Sequence, residues 1–348
     1  MSASFRRLSL PLLVTFLLFT LVAQACQKVE PGKGKSDKST VAYRLSGPIS
    51  HENLTVFLIH GDDQIKGKEI LTLDEALQAK KVIVHETQNV NQLAIENVSS
   101  CDVFVQAGDI VRGGQQDRTI AFDMLVPPKS GKVPLNAFCV EAGRWTKRGA
   151  EVETNFSSAK NSVTGKDLNF AVRKAASQRA VWDNVAKKQM ELKSKVKADV
   201  QASESKSSLE LTLEHKKVVE SLEAYMKKLQ DCTKDKKDVI GCAVIINGKV
   251  ASADVYASHA LFEKLWTKLL KAGAVEAVAD LPKDKKFEPA TKESVLSFLT
   301  DAEKGKKTEK KVTERFQQIE LDSAKCILFE TKDSANKNVS LRRSHIAK

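Results

Sequence analysis

Residues 103–145 read VFVQAGDIVRGGQQDRTIAFDMLVPPKSGKVPLNAFCVEAGRW, so glycines, arginines, carboxylates, a cysteine and a tryptophan crowd between short apolar runs. Arg112, Arg118 and Arg144 carry planar forks of N–H donors that suit phosphate or carboxylate. Gln115 and Gln116 add neutral hydrogen-bonding groups, Trp145 offers a ring for stacking, and Gly108, Gly113 and Gly114 let the backbone turn and present N–H groups. The set points to recognition of an anionic or sugar-containing ligand by Arg112, Gln115, Gln116, Arg118, Glu141, Arg144 and Trp145. It also admits hydrolysis, with Asp109 and Glu141 as candidate base and acid and Arg144 stabilising developing negative charge. Cys139 is a third catalytic candidate, although its FCV setting in a strand reads more simply as an inward-facing small apolar residue. A structural alternative stands beside both: the same charges can pair and pin strand ends, and the glycines can serve turns alone. No cofactor fingerprint appears and no His/Cys cluster has zinc spacing, so neither cofactor nor metal is expected.

Short strands must carry these residues. Period-two alternation predicts strands over 41–47, 54–60, 82–85, 93–97, 103–105, 119–126 and 133–140, with one short helix over 71–80 opened by a Thr72/Glu75 capping box. Residues 146–169 are polar and rich in glycine and serine, a lid or connection beside the proposed site. Helical spacing then predicts two long helices, one over 170–200 and one entered through a Ser207/Glu210 capping box, with Leu211, His215, Val218, Leu222, Tyr225 and Leu229 along one seam. Together they form a helical hairpin over 170–231 that could present a surface to a protein partner. In that seam His215 reads as a core residue. Asn247-Gly248 between residues 239–246 and 249–256 predicts a tight β-hairpin, and Ser258 caps a helix that Gly273 ends. Beyond it a helix is expected over 292–302, a strand pair over 312–331, and a mobile basic tail over 332–348. The expected class is α+β: a β-rich sandwich or barrel-like sheet in the amino-terminal half (41–145), and a helical hairpin with a β-hairpin and helix (239–273) in the carboxy-terminal half of one domain over 41–331.

AGDIVRGGQQDR followed by CVEAGRW resembles the paired signature of a bacterial family, the ADP-ribosylglycohydrolase and rhodanese-phosphatase associated protein domain. VWDNVA and INGKVASADVYASHALFEKLWTKLL are similar to later blocks of that family, so the likeness covers roughly residues 47–277. The chain departs from the pattern in having Gly108-Asp109 for a Gly-Glu step and Gln116-Asp117-Arg118 for Gln-Asn-Arg. The resemblance implies a fold and no established activity; the family's neighbourhood brings an ADP-ribose-like compound among the candidate ligands.

The first 25 residues have the form of an export leader, with Arg6 and Arg7, an apolar run over 8–22 and Ala23-Gln24-Ala25 before Cys26. A cysteine there fits lipidation and anchoring to a membrane of the bacterial envelope; the alternative is simple cleavage and release as a periplasmic or secreted protein. Residues 26–40 read as a flexible tether. The chain of 348 residues carries a formal charge of +12, which favours anionic partners, phospholipid headgroups included, although dispersed lysines also simply solvate helices. Nucleic acid is not expected, as no aromatic-basic motif accompanies the charge. Of the six cysteines, Cys232 and Cys242 flank a short turn and are the candidate disulfide for an oxidising compartment.

Overall fold

Alternating apolar residues bring out a first hairpin, β1 (Arg44–His51) and β2 (Leu54–His60). The computed structural model describes residues 43–144, 155–282 and 286–348; the leader, Cys26, the tether and Trp145 lie outside the described residues. β3 (Ile70–Thr72) runs straight into α1 (Leu73–Gln78), where Thr72 and Glu75 make the reciprocal capping box that the sequence predicts. β4 (Val82–Glu86), β5 (Gln92–Asn97), β6 (Asp102–Val105) and β7 (Asp109–Gly113) follow. The strand predicted over 119–126 is two strands in different sheets, β8 (Arg118–Ile120) and β9 (Met124–Val126), with Asp123 buried between them. β10 (Lys132–Cys139) lies where alternation predicts it, whereas β11 (Phe156–Ser162) occupies sequence expected to be loop, since pairing with β7 satisfies its polar backbone.

Two long helices were expected next, and four shorter ones are present. α2 (Lys166–Arg173) stops before Ala176, whose φ of +46° cannot continue a helix, and Ser177 then caps α3 (Gln178–Val196). Ser208, one residue later than expected, caps α4 (Leu209–Glu214). His215 lies between helices rather than in a seam, and its Nδ1 accepts from the Lys217 N–H at the start of α5 (Lys216–Leu229). Val218, Leu222, Tyr225 and Leu229 do form the buried face of α5, which packs on β1 and on the later helix over His259–Ala279.

β12 (Val239–Ile246) and β13 (Lys249–Tyr256) are the predicted hairpin, with Asn247 and Gly248 both at positive φ. Ser258 caps α6 (His259–Ala279), which continues past Gly273; there glycine admits close packing, since a β-carbon would stand 3.2 Å from Val244 Cγ1. α7 (Lys292–Ala302), β14 (Lys306–Lys311), β15 (Phe316–Asp322), β16 (Cys326–Asp333) and β17 (Val339–Ala347) complete the order. β17 replaces the expected mobile tail: its backbone pairs on both sides, with β13 and with β16.

The fold is mixed α/β, with seven helices among the described residues and large antiparallel sheets. Eight strands run β1-β2-β12-β13-β17-β16-β15-β14, six run β11-β7-β8-β10-β5-β4, and three run β3-β6-β9. The strands do not sort by chain half, because the amino-terminal hairpin β1–β2 joins the carboxy-terminal strands through β2–β12 pairing. One face of the eight-stranded sheet (Leu54, Val56, Leu58, Val244, Ile246) shares the main core with α6 and the smaller sheets. The other face (Phe57, Ile59, Ala243, Ile245, Ala253) is covered by α7 through Val295, Phe298 and Leu299. Each such fully buried side chain contributes about 1.5–3 kcal/mol from apolar burial. The five described cysteines, Cys232 and Cys242 among them, are free thiols.

Candidate functional site

The glycine-rich turn after β7 brings the signature residues together. A β-carbon at Gly113 would stand 2.6 Å from the Asn155 carbonyl oxygen, and one at Gly114 would stand 2.5 Å from Phe156 Cζ, so only glycine lets the turn lie against β11. Arg118 is 1% exposed; its Nη1 donates to Gln116 Oε1 at 2.9 Å and to Cys139 Sγ at 2.7 Å, and its Nη2 stands 3.6 Å from Glu86 Oε2. Gln116 donates through Nε2 to the Glu141 carbonyl, and the Asp117 N–H donates to Glu141 Oε2. Arg144 Nε lies 2.8 Å from that same carboxylate oxygen and its Nη2 lies 3.6 Å from Asp117 Oδ1. Arg112 pairs outward, on the Glu214 carboxylate of α4. Gln115 is exposed, and its backbone N–H donates to Glu86 Oε1. Of the predicted set, the group Gln116, Arg118, Glu141 and Arg144 thus converges, whereas Arg112 turns to α4, Gln115 is exposed and Trp145 lies outside the described residues. That group converges as a buried network whose forks hold protein carboxylates and carbonyls.

The catalytic candidates fare differently. Asp109 starts β7 and Glu141 contacts the turn beyond its far end, so four strand residues, about 13 Å, separate them. Asp109 is instead neutralised by Lys268 of α6, 3.3 Å away, which also holds Asp74 of α1. Burial would lower the Lys268 ammonium, but the two carboxylates outweigh it and hold it above its ordinary value. The Cys139 thiol is pushed up to about 11 by burial, with Arg118 only partly offsetting it, and Gln178 clamps its backbone N–H and carbonyl at 2.8 Å each. His85 points to the opposite face of β4 from Glu86 and pairs with Glu96, so no imidazole reaches that thiol. Among the described residues, no general acid–base or thiolate machinery is therefore assembled around this turn.

A cavity of about 570 Å³ opens beside the start of the same motif. Its floor is the main-core face of β12, β13 and β17, with Val244, Ile246, Ser252, Asp254, Arg342 and Ser344; α3 and α6 form its roof, and Gln106–Gly108 and the start of α2 close one end. Arg342 reaches Asp254 at 2.8 Å and Asp123 at 3.0 Å, and Asp123 also accepts from Arg173 and from the Ala107 N–H. Burial acts to raise the Asp123 carboxyl, yet Arg342 and Arg173 outweigh it and hold it below the ordinary range. In the roof, Lys188 pairs with Glu191 at 2.6 Å and Glu276 at 3.0 Å. A β-carbon at Gly165 would stand 2.5 Å from Glu276 Oε2, so glycine there lets this carboxylate lie against the N-terminus of α2.

Sequence reading does not single out Asp123, Arg173, Asp254 or Arg342; Asp123 and Asp254 are each a single charge among small or apolar neighbours, which is the available signal, whereas Arg173 and Arg342 are masked by the adjacent Lys174 and Arg343. Glu276, alone in the apolar run AGAVEAVA, carries the same mark, whereas Lys188 sits in an ordinary helical charge pattern. Among the described residues there is no metal-ligating cluster and no helix long and apolar enough to cross a membrane. No curated protein and no solved structure matches the chain. The family model of the ARG and Rhodanese-Phosphatase-superfamily-associated Protein domain matches residues 42–341, most of the chain, and the protein belongs to that family.

Proposed function

We propose that this protein is an exported, lipid-anchored envelope component that holds a small ligand without turnover, and that the ligand occupies the cavity under α3 and α6 rather than the arginine cluster. The leader-like start and Cys26 support export and anchoring. The observation that carries the binding reading is the cavity itself: about 570 Å³, in the range of small-molecule sites, mixing apolar walls with a few convergent polar groups. The signature motif contributes Gln106–Gly108 to its wall, which gives those residues a binding role distinct from the turn chemistry of Gly113 and Gly114. For Arg118, Glu141 and Arg144 the paired geometry favours the structural role. The test is the thermal stability of the mature chain against a panel of glycosides, nucleosides, sugar phosphates and ADP-ribose, in the wild type and in Ala272→Phe, which fills the cavity from α6. A ligand of the folded state raises the melting temperature by mass action. The expected result is a shift in the wild type that Ala272→Phe abolishes; a shift of equal size in that variant rejects the cavity. Fatty-acid labelling lost in Cys26→Ala tests the anchor separately.

A further inference from the structure

We infer that the cavity takes an uncharged, hydroxyl-bearing ring compound, a deepening of the binding reading that stands only if the cavity is the site. The inference comes from which polar groups of the lining are engaged and which are not. Its buried charges are paired within the protein: Arg342 with Asp254 and Asp123, Lys188 with Glu276 and Glu191. Lys187 is held by Asp167 at 2.7 Å, and Lys166 and Lys249 are exposed to solvent.

Asn169, Asn184 and Asn247 of the lining are also engaged within the protein, but four neutral groups are in the opposite condition. Gln106, 3% exposed, accepts through Oε1 from Tyr256 Oη, while its amide nitrogen makes no hydrogen bond among the described residues. The hydroxyls of Ser162, Ser252 and Ser344 likewise have no hydrogen-bond partner among the described residues, although Ser162 and Ser344 are buried. Ser252 and Ser344 follow from register: β13 and β17 pair Asp254 with Ser344, and Ser252 with Ile346, so both hydroxyls stand on the cavity face beside an ion pair and an aliphatic side chain. These groups line open cavity space, where water or a ligand can pair with them.

An anion here would approach Asp254, Glu276 and Glu191 and would have to draw Arg342 or Lys188 away from them; a cation meets the converse problem. A neutral polyhydroxy ligand leaves both ion pairs in place. Its hydroxyls pair with the Gln106 amide and the serine hydroxyls, and its ring lies on Val244, Ile246 and Leu269. This narrows the ligand away from the phosphate and carboxylate recognition that three arginines in the signature suggest.

The experiment is calorimetric titration of the full mature chain with two matched pairs, methyl β-glucoside against glucose 6-phosphate, and adenosine against adenosine monophosphate. The expected result is that one neutral member binds and its phosphorylated counterpart binds at least ~10-fold more weakly, because a buried uncompensated charge is costly. Which pair responds distinguishes a sugar from a nucleoside. The double variant Ser252→Ala/Ser344→Ala is expected to weaken that binding by about 10-fold, the effect of losing two ordinary hydrogen bonds, with the melting temperature of the unliganded chain unchanged. Tighter binding of the phosphorylated members, abolished by Ala272→Phe, overturns the neutral class and leaves the cavity as the site. Neutral binding that the two serines do not influence also overturns it. Binding that persists in Ala272→Phe, or no binding by any of the four, overturns both.

Discussion

The arginine cluster at the Gly113-Gly114 turn and the cavity beyond Gln106–Gly108 are built from neighbouring parts of one motif and have opposite characters. At the turn, Arg118 and Arg144 end on Gln116, Cys139, Glu141 and Asp117, all buried, and although Arg118 Nε and Thr119 Oγ1 have no hydrogen-bond partner among the described residues, both are sealed inside the protein. In the cavity the charges are paired just as firmly, but neutral amide and hydroxyl groups remain unengaged. A cluster of arginines is thus a poor guide to where a ligand binds when carboxylates of the same fold can reach it. What marks a binding surface is the unengaged polar group that still lines open space.

That contrast can be broken by substitution. The largest effect is expected for Arg118→Ala, which removes the cation from a buried network and should cost about 3–5 kcal/mol in denaturant unfolding, with Arg118→Met costing clearly less because it keeps the volume. A loss below about 1 kcal/mol for Arg118→Ala would return the cluster to candidacy as a ligand site.

Glu210 sharpens the contrast from beneath the cluster. Its Oε1 accepts from the Lys160 N–H and Asn161 Nδ2, whereas its Oε2 and Asn161 Oδ1 are buried without hydrogen-bond partners among the described residues. Burial, then the Glu214 charge, raises its carboxyl from 4.5 to about 7. The folded state therefore holds a proton that the unfolded chain releases, so this contribution is fully present below about pH 4.5, declines as pH rises, and is lost above about pH 7. Glu210→Gln keeps the acceptor and supplies a donor for Asn161, so unfolding at pH 8 should show it stabilised by about 1–3 kcal/mol, with no gain at pH 4. Equal effects at both pH values would count against this reading.

Cys139→Ser is expected to cost under about 1 kcal/mol, since a hydroxyl also accepts from Arg118, and to leave ligand binding unchanged; loss of binding would place Cys139 in the site. The smallest effect is expected for Ser344→Ala, within about 0.5 kcal/mol in unfolding, because its hydroxyl has no hydrogen-bond partner to lose among the described residues. A cost as large as that of Arg118→Ala would erase the distinction between the two regions.

Local signals in the sequence were read well wherever a few neighbouring residues decide the structure. Thr72 with Glu75, Asn247-Gly248 and Ser258 each act within four residues, and each does what its chemistry dictates. The convergence of Arg118, Gln116, Glu141 and Arg144 was also legible, as the turn and the strands on either side were visible in the pattern. What those groups do after converging was not, because it depends on how completely the protein pairs them. β17 was misread for a related reason. Arg342 looks like part of a solvated basic end until Asp254 and Asp123, 88 and 219 residues earlier, arrive beside it. The break between α2 and α3 likewise rests on Ala176 adopting positive φ, for which its residue type carries no preference.

β17 sits in the eight-stranded sheet between β13 and β16 and, among the described residues, is the strand that joins the four-stranded part β1-β2-β12-β13 to the three-stranded part β16-β15-β14. Until residues 339–347 are in place, each part presents an open edge to the other and to any neighbouring chain. The sheet closes like a zip whose slider comes after every other strand in the sequence, and pairing over such distances is slow. Under the export proposed above, that delay works in the chain's favour, because the polypeptide stays threadable until its seam has been made.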